Sequence, residues 1–270
     1  MAVISDICAF LDRFAPVELA EDWDNVGLLI GDAAVNAKKI MTCLTVTPAS
    51  CREAIEREAD LIVTHHPFPF RPVKRLTRAT PEGRMLLDLI SAGVAVYSPH
   101  TAFDSAAAGI NQQFAAGLGL VEIQPLIEKA ASHGGVSTGS APLGTGRHGK
   151  LPSSQTLGKF VQCVKNFLRL NQAKYVGNPD RTVNHVAIAC GSAGEFLSEA
   201  QAVGADCFVT GETSFHTCLA AKANDTALIL TGHFASERFA VVELSRTLAR
   251  EYSEAVVWAS EEERDPIAYG

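Results

Sequence analysis

No C-x-x-C pair occurs anywhere in the chain. Its seven cysteines, Cys8, Cys43, Cys51, Cys163, Cys190, Cys207 and Cys218, are odd in number, widely spaced and set in apolar segments. That excludes a Cys-rich zinc site and a dithiol redox motif, and it points to small reduced core residues. Long apolar runs are missing too: stretches such as Ala227 to Leu230 fall far short of the roughly 20 residues that cross a bilayer as a helix. The start M-A-V-I-S-D-I has no basic region or small-residue cleavage site, and no lipidation motif follows. A soluble, cytoplasmic protein without a membrane partner is expected. Positive charge is scarce, with 23 Lys and Arg against 30 Asp and Glu for a formal net charge of -7, and no Lys/Arg stripe. The balance argues against nucleic acid as a partner and leaves room for a local cationic site.

What is present is a regular alternation of strand and helix patterns. Helical spacing runs over Ile4 to Phe14, Ala49 to Glu58, Pro81 to Ala92 and Ser105 to Leu118. Strand patterns fall at Val26 to Ile30, Lys39 to Leu44, Asp60 to Thr64 and Val94 to Tyr97. The glycine-rich stretch 132–150 interrupts this rhythm. The second half then offers helices at Thr156 to Leu168, Glu195 to Val203, Phe215 to Ala221 and Ser236 to Arg250. Its strands fall at Lys174 to Val176, His185 to Ala189, Cys207 to Thr210 and Ala227 to Leu230. The fold class is therefore α/β, and a length of 270 residues suits two domains, placed at 1–126 and 127–270. The acidic tail S-E-E-E-R-D is expected to be solvated.

The halves resemble each other. Ala59-Asp60-Leu61-Ile62-Val63-Thr64-His65-His66 aligns with Ala205-Asp206-Cys207-Phe208-Val209-Thr210-Gly211-Glu212. The next strand of each half ends in an H-x-x-x-acid pattern: His100 with Asp104, and His233 with Glu237. Two shared patterns in the same order read as a repeat, against the alternative of chance similarity between short strings.

All of these side chains fall at strand C-termini, where open α/β sheets gather ligands. Imidazoles and carboxylates without thiolates suit Zn, Fe, Mn, Co or Ni in a catalytic type of site. Successive strand residues face opposite ways, so His65 and His66 are expected to serve two different divalent ions. One allocation gives the first ion His65, His233 and Glu237 and the second His66, Asp104 and Glu237, with a shared water or hydroxide completing the pair. Two divalent ions less two carboxylates leave the centre positive, which favours anionic or carbonyl substrates. Glu237 and His100 are the candidate catalytic residues; His100 reads equally as a ligand, an orienting partner or a proton carrier. Any one of these histidines alone reads better as a core residue, and Asp104 and Glu237 also suit the first turn of a helix. His133, His148, His185 and His216 show no comparable spacing and are read as non-ligands. Gly144 to Lys150 fits G-x-x-x-x-G-K, but Leu151 stands where a phosphate-binding loop needs Ser or Thr, so the segment reads as a turn. Arg147 and Lys150 remain available there to an anionic ligand.

The segments L-A-E-D-W-D-N-V-G-L at 19–28, A-D-L-I-V-T-H-H-P at 59–67, H-T-A-F-D at 100–104, G-T-G-R-H-G at 144–149 and T-G-H-F-A-S-E at 231–237 carry a family resemblance. Together they make the chain similar to the Nif-three-like family, whose bacterial members are often labelled GTP cyclohydrolase 1 type 2 homologues. The resemblance implies two interlocked α/β domains, a ring-shaped hexamer of three dimers, and a dinuclear metal centre at His65, His66, Asp104, His233 and Glu237. The expected function is that of a metal-dependent hydrolase acting on a small molecule with a phosphate, amide or purine ring; the alternative is a non-catalytic metal-binding regulator. Two positions depart from the family pattern: Ala102 replaces an Asn, and Thr45 an Asp.

Overall fold

The computed structural model describes residues 2–129 and 143–268. His133 lies outside them. The chain folds as two units, one formed by residues 1–103 with 240–270 and the other by residues 104–239.

The first unit is built on a five-stranded sheet in the order Val256–Ala259, Lys39–Cys43, Leu61–Thr64, Ala95–Ser98, Gly27–Ile30. Its first four strands are parallel and the last is antiparallel. Leu61–Thr64 is buried along its whole length. A continuous β-branched and apolar run is what a central parallel strand needs, because both of its faces are covered. Thr47 caps the helix Pro48–Glu56 in a reciprocal box with Ser50, and Thr80 caps Pro81–Ala92, which ends at Gly93 with φ of +73°. Both helices begin with proline, whose missing N–H costs nothing there.

The second unit carries a six-stranded sheet ordered Lys174–Val176, Ala227–Leu230, Cys207–Thr210, Thr182–Ala189, Arg147–Thr156, Val121–Gln124. Its middle three strands are parallel and its outer pairings antiparallel. Phe208, Leu228, Ala187 and Leu197 lie in its core.

Several expectations need correction. Residue 126 is no boundary. Strand Val121–Gln124 pairs with Arg147–Thr156, so sheet pairing holds both sides of the glycine-rich segment in one unit, while Val256–Ala259 brings the C-terminal residues into the other. The helix expected over Ser105 to Leu118 is two, His100–Ser105 and Ile110–Gly117. The turn expected at 144–150 opens a ten-residue strand, Arg147–Thr156, with its register shifted between Lys150 and Gln155, across Pro152. Arg147 is fully buried and spends its guanidinium on the carbonyls of Gly144, Gly146 and Ala106 and on Gln112 Oε1, so it faces no ligand. Lys150 pairs with Glu122.

The acidic tail is docked instead of solvated. Glu263 is buried and accepts the backbone N–H groups of Leu44 and Thr45. Glu53 accepts from Trp258, Ser260, Glu261 and Glu262. Carboxylates that collect several N–H donors can be buried at tolerable cost, which composition alone does not reveal. Of the cysteines, all free, Cys43, Cys51, Cys190 and Cys207 are core residues, whereas Cys163 is exposed.

Candidate metal centre

In the first unit the strand Leu61–Thr64 stops just before the paired histidines. Two backbone bonds still tie them to the neighbouring strand's end, His65 N–H to Cys43 O at 3.0 Å and His66 N–H to Leu44 O at 2.8 Å. Beyond the regular strand the alternation of faces no longer applies. The two rings come together, with centroids 5.0 Å apart. His100 joins them at 5.1 Å from His65 and 5.6 Å from His66. One ring nitrogen from each of the three lies within 4.8 Å of the others, a spacing at which one cation can be shared.

Each ring is also held from behind. His100 Nδ1 lies 2.8 Å from Asp24 Oδ1, while Asp24 Oδ2 accepts from the Thr101 N–H at 3.1 Å and the Thr101 hydroxyl at 2.5 Å. Burial would raise the Asp24 pKa, but the hydrogen bonds from His100 and Thr101 outweigh it and hold the carboxyl at about 2. An ionised carboxylate only accepts, so Nδ1 donates to it and Nε2 is the ring nitrogen that remains for another partner. His100 has φ of +23°, a backbone conformation that non-glycine residues adopt rarely and that collects at functional sites. His66 Nδ1 meets the Thr45 hydroxyl at 2.7 Å. Thr45, one of the two departures from the family pattern, thus stands behind His66. The other departure, Ala102, is a buried apolar residue.

In the second unit His233 opens the helix His233–Glu251, so Glu237 stands one turn on, its Oε2 3.1 Å from His233 Nε2. Glu212 holds the other ring nitrogen, Nδ1, at 2.9 Å. The hydrogen bond that His233 donates to Glu237 raises its pKa, burial opposes the rise, and the charge of Glu237 with the hydrogen bond to Glu212 and its charge complete a rise to about 9. Gly191, with φ of +70°, makes room for the pair, since a Cβ there would collide with Glu237 Oε1. Asp104 lies in the helix His100–Ser105, its carbonyl gripped by Asn111 Nδ2 at 3.1 Å.

Sequence spacing missed Asp24, Glu212 and Gly191. Asp24 sits in the 19–28 segment quoted for the resemblance, and Glu212 is the repeat counterpart of His66; both signals were available. His148 and His185, read as isolated, bond to each other at 2.9 Å across paired strands. His216 lies on the helix Phe215–Ala223.

The donor set fits divalent metal: the histidine trio and the His233–Glu237 pair could each hold an ion through nitrogen and oxygen atoms. Among the described residues no helix is long and apolar enough to cross a membrane.

The family described as Duf34/NIF3 (NGG1p interacting factor 3) matches residues 2–266. A Clostridium acetobutylicum relative named GTP cyclohydrolase 1 type 2 homolog is 34% identical over 247 residues, covering 91% of this chain and 89% of its own. The NIF3-like protein 1 of Drosophila melanogaster is 33% identical, with 95% and 86% covered. A crystal structure of a Staphylococcus aureus protein superposes with a TM-score of 0.89 at 27% identity, covering 99% of both chains. A Bacillus cereus protein related to NIF3 gives the same TM-score at 22% identity, covering 100% of this chain and 99% of its own, and shares the fold.

Proposed function

The chain belongs to the Duf34/NIF3 family, and from that premise we propose that it is a dinuclear divalent-metal protein working as a hydrolase on a small molecule with a phosphate, amide or purine ring. The observation that carries the reading is the set of three imidazoles within 4.8 Å, one of them with its Nδ1 proton committed to a buried carboxylate. His65, His66, Asp104, His233 and Glu237 would hold two ions drawn from Zn, Fe, Mn, Co or Ni. Such ions polarise a carbonyl or phosphoryl oxygen and make a water acidic enough to attack at neutral pH. His100, its Nδ1 held by Asp24, would offer Nε2 either to an ion as a third imidazole or to a proton of the reaction. Glu237, one turn from His233, supplies a second carboxylate oxygen for proton transfer.

Metal analysis of the purified, metal-supplemented chain tests the reading, with an expected content of two ions per chain. Fewer than one ion per chain would end the dinuclear assignment. Glu237→Ala should abolish turnover of whichever phosphoester, nucleotide or cyclic amide the loaded protein accepts, while the fold persists. GTP is tested first because bacterial relatives carry the cyclohydrolase name. A regulatory, non-catalytic role is the second reading, favoured by the family description, which names an interacting factor. Absence of turnover across all three substrate classes by fully loaded protein would support it. We place the chain in the cytoplasm, where its free cysteines stay reduced, as a hexamer of three dimers; sedimentation of the purified protein tests the assembly.

A further inference from the structure

The loop at 23–25 uses three consecutive residues differently. Asp24 grips His100, Asn25 Nδ2 donates to Pro69 O at 3.1 Å, and Trp23 lies with 65% of its surface exposed. The Asn25 bond fastens this loop to the segment carrying Phe70, which is 49% exposed. Both rings stand edge-on to His100, with centroids 6.0 Å from the imidazole, and they meet each other at 6.3 Å. His100 itself is buried. Two large apolar rings therefore remain in water directly beside three candidate metal ligands, on loops pinned to those ligands.

Exposed aromatic surface is costly to leave wet, and in a small-molecule site it is used to stack a planar ring. Charge narrows the ligand further. Residues 71–78 follow Phe70 with Arg71, Lys74, Arg75 and Arg78 and no acidic residue, in a chain of net charge -7. Arg78 is paired with Asp88, while Arg71, Lys74 and Arg75 are exposed. Arg71 follows Phe70 directly and Lys74 and Arg75 lie on the same exposed segment, and cations carried on the segment that holds an aromatic ring suit a phosphate or carboxylate on the same ligand. A second protein copy is the poorer occupant, because a flat protein face seated on Trp23 and Phe70 would also seal the three imidazoles beside them.

We propose that Trp23 and Phe70 form a stacking platform for a planar aromatic ring whose attached anionic group is held by Arg71, Lys74 and Arg75. The proposal rests on the metal-centre reading for its meaning, since the platform would deliver the ligand to His100 and its neighbours. It does not depend on metal for binding.

Titration of the full chain with AMP, adenosine and ribose 5-phosphate, followed by tryptophan fluorescence, tests it. Trp23 is exposed and the only other tryptophan, Trp258, is buried, so quenching reports the platform. AMP is expected to quench saturably and to bind at least about tenfold more tightly than either fragment. Phe70→Ala should weaken AMP and adenosine by about tenfold. A combined Arg71→Ala, Lys74→Ala, Arg75→Ala variant should weaken AMP and ribose 5-phosphate and leave adenosine unchanged. Equal affinity for AMP and ribose 5-phosphate, unchanged AMP binding in Phe70→Ala, no AMP binding at all, or a change of sedimenting mass in Phe70→Ala would each overturn the platform. Metal content measured on the same samples separates the two readings. Two ions per chain without AMP binding removes the platform and spares the centre; AMP binding with fewer than one ion per chain does the reverse.

Discussion

The strand ends at Ala59–His66 and Ala205–Glu212 share a backbone and differ in what they present. Asp60 Oδ2 accepts the N–H groups of Lys38 and Lys39 at 2.7 and 2.8 Å; Asp206 Oδ2 accepts those of Asn184 and His185 at 2.9 and 2.8 Å. Thr64 Oγ1 donates to Leu44 O, and Thr210 Oγ1 to Gly191 O. After the threonines the paths diverge. The first half presents two imidazoles. The second presents Gly211, where a Cβ would come within 2.6 Å of Gly191 O and 2.7 Å of Ser236 Oγ, and then Glu212. The helix starting at His233 packs too closely for a side chain at Gly211, whose Cβ would lie 3.1 Å from the His233 Cα. One repeat thus presents imidazoles at the strand end, while the other gives up that position to seat a helix that carries His233 and Glu237. In both, a carboxylate holds the Nδ1 of the next histidine: Asp24 for His100, and Glu212 for His233.

Five substitutions probe that contrast, in descending order of effect. Gly211→Ala should lower stability by about 1–3 kcal/mol in urea unfolding, because backbone and helix must both shift. An unchanged midpoint would show that close packing is not why the imidazole was lost. Asp24→Asn and Glu212→Gln should each weaken metal binding by about 10–100-fold without unfolding the chain, the usual cost of losing the partner behind a ligating histidine. A loss confined to one of them, read by competition with a chelating dye, would break the equivalence of the two carboxylates. Asp60→Ala and Asp206→Ala should cost about 1–2 kcal/mol each, and by similar amounts, since each strands two backbone donors. Unequal costs would mean that the repeat is only geometric.

The smallest effect belongs to the edge strand Val256–Ala259 of the first unit. Glu53 anchors it: burial would raise its pKa, but the donors from Glu261, Ser260, Glu262 and Trp258 outweigh that and hold it below the ordinary carboxylate value. A depressed carboxyl contributes stability above its unfolded pKa of about 4.3 and loses it as pH falls through the lower folded value. Limited proteolysis of residues 258–268 should therefore accelerate on acidification below about pH 4. In Glu53→Gln that acid-dependent step should disappear, and a tail equally protected at both pH values would remove the anchor.

Much of this was legible from residue order. The alternation of elements, the bounds of Lys174–Val176, Cys207–Thr210 and Ala227–Leu230, and the repeat itself follow from apolar runs of the right length between turn residues. The strand at Val256–Ala259 was not legible, because its identity depends on pairing with Lys39–Cys43 more than 200 residues away. The long strand from Arg147 hid behind glycines and Pro152, which locally read as turn and are overridden by ladder bonds to Thr182–Ala189. Trp23, Asp24 and Glu212 gave no periodic signal, since loop residues act through where the loop is tied down.

The sequence by itself determined the α/β class, the duplicated strand ends and the donor chemistry, because side-chain type and spacing are local properties of the chain. Only the tertiary structure decided that His65, His66 and His100 converge, that Asp24 and Glu212 stand behind their histidines, and that Glu263 of the acidic tail lies buried. Each of those depends on which groups, distant along the chain, the fold brings within hydrogen-bond or ring contact, and no local pattern records that.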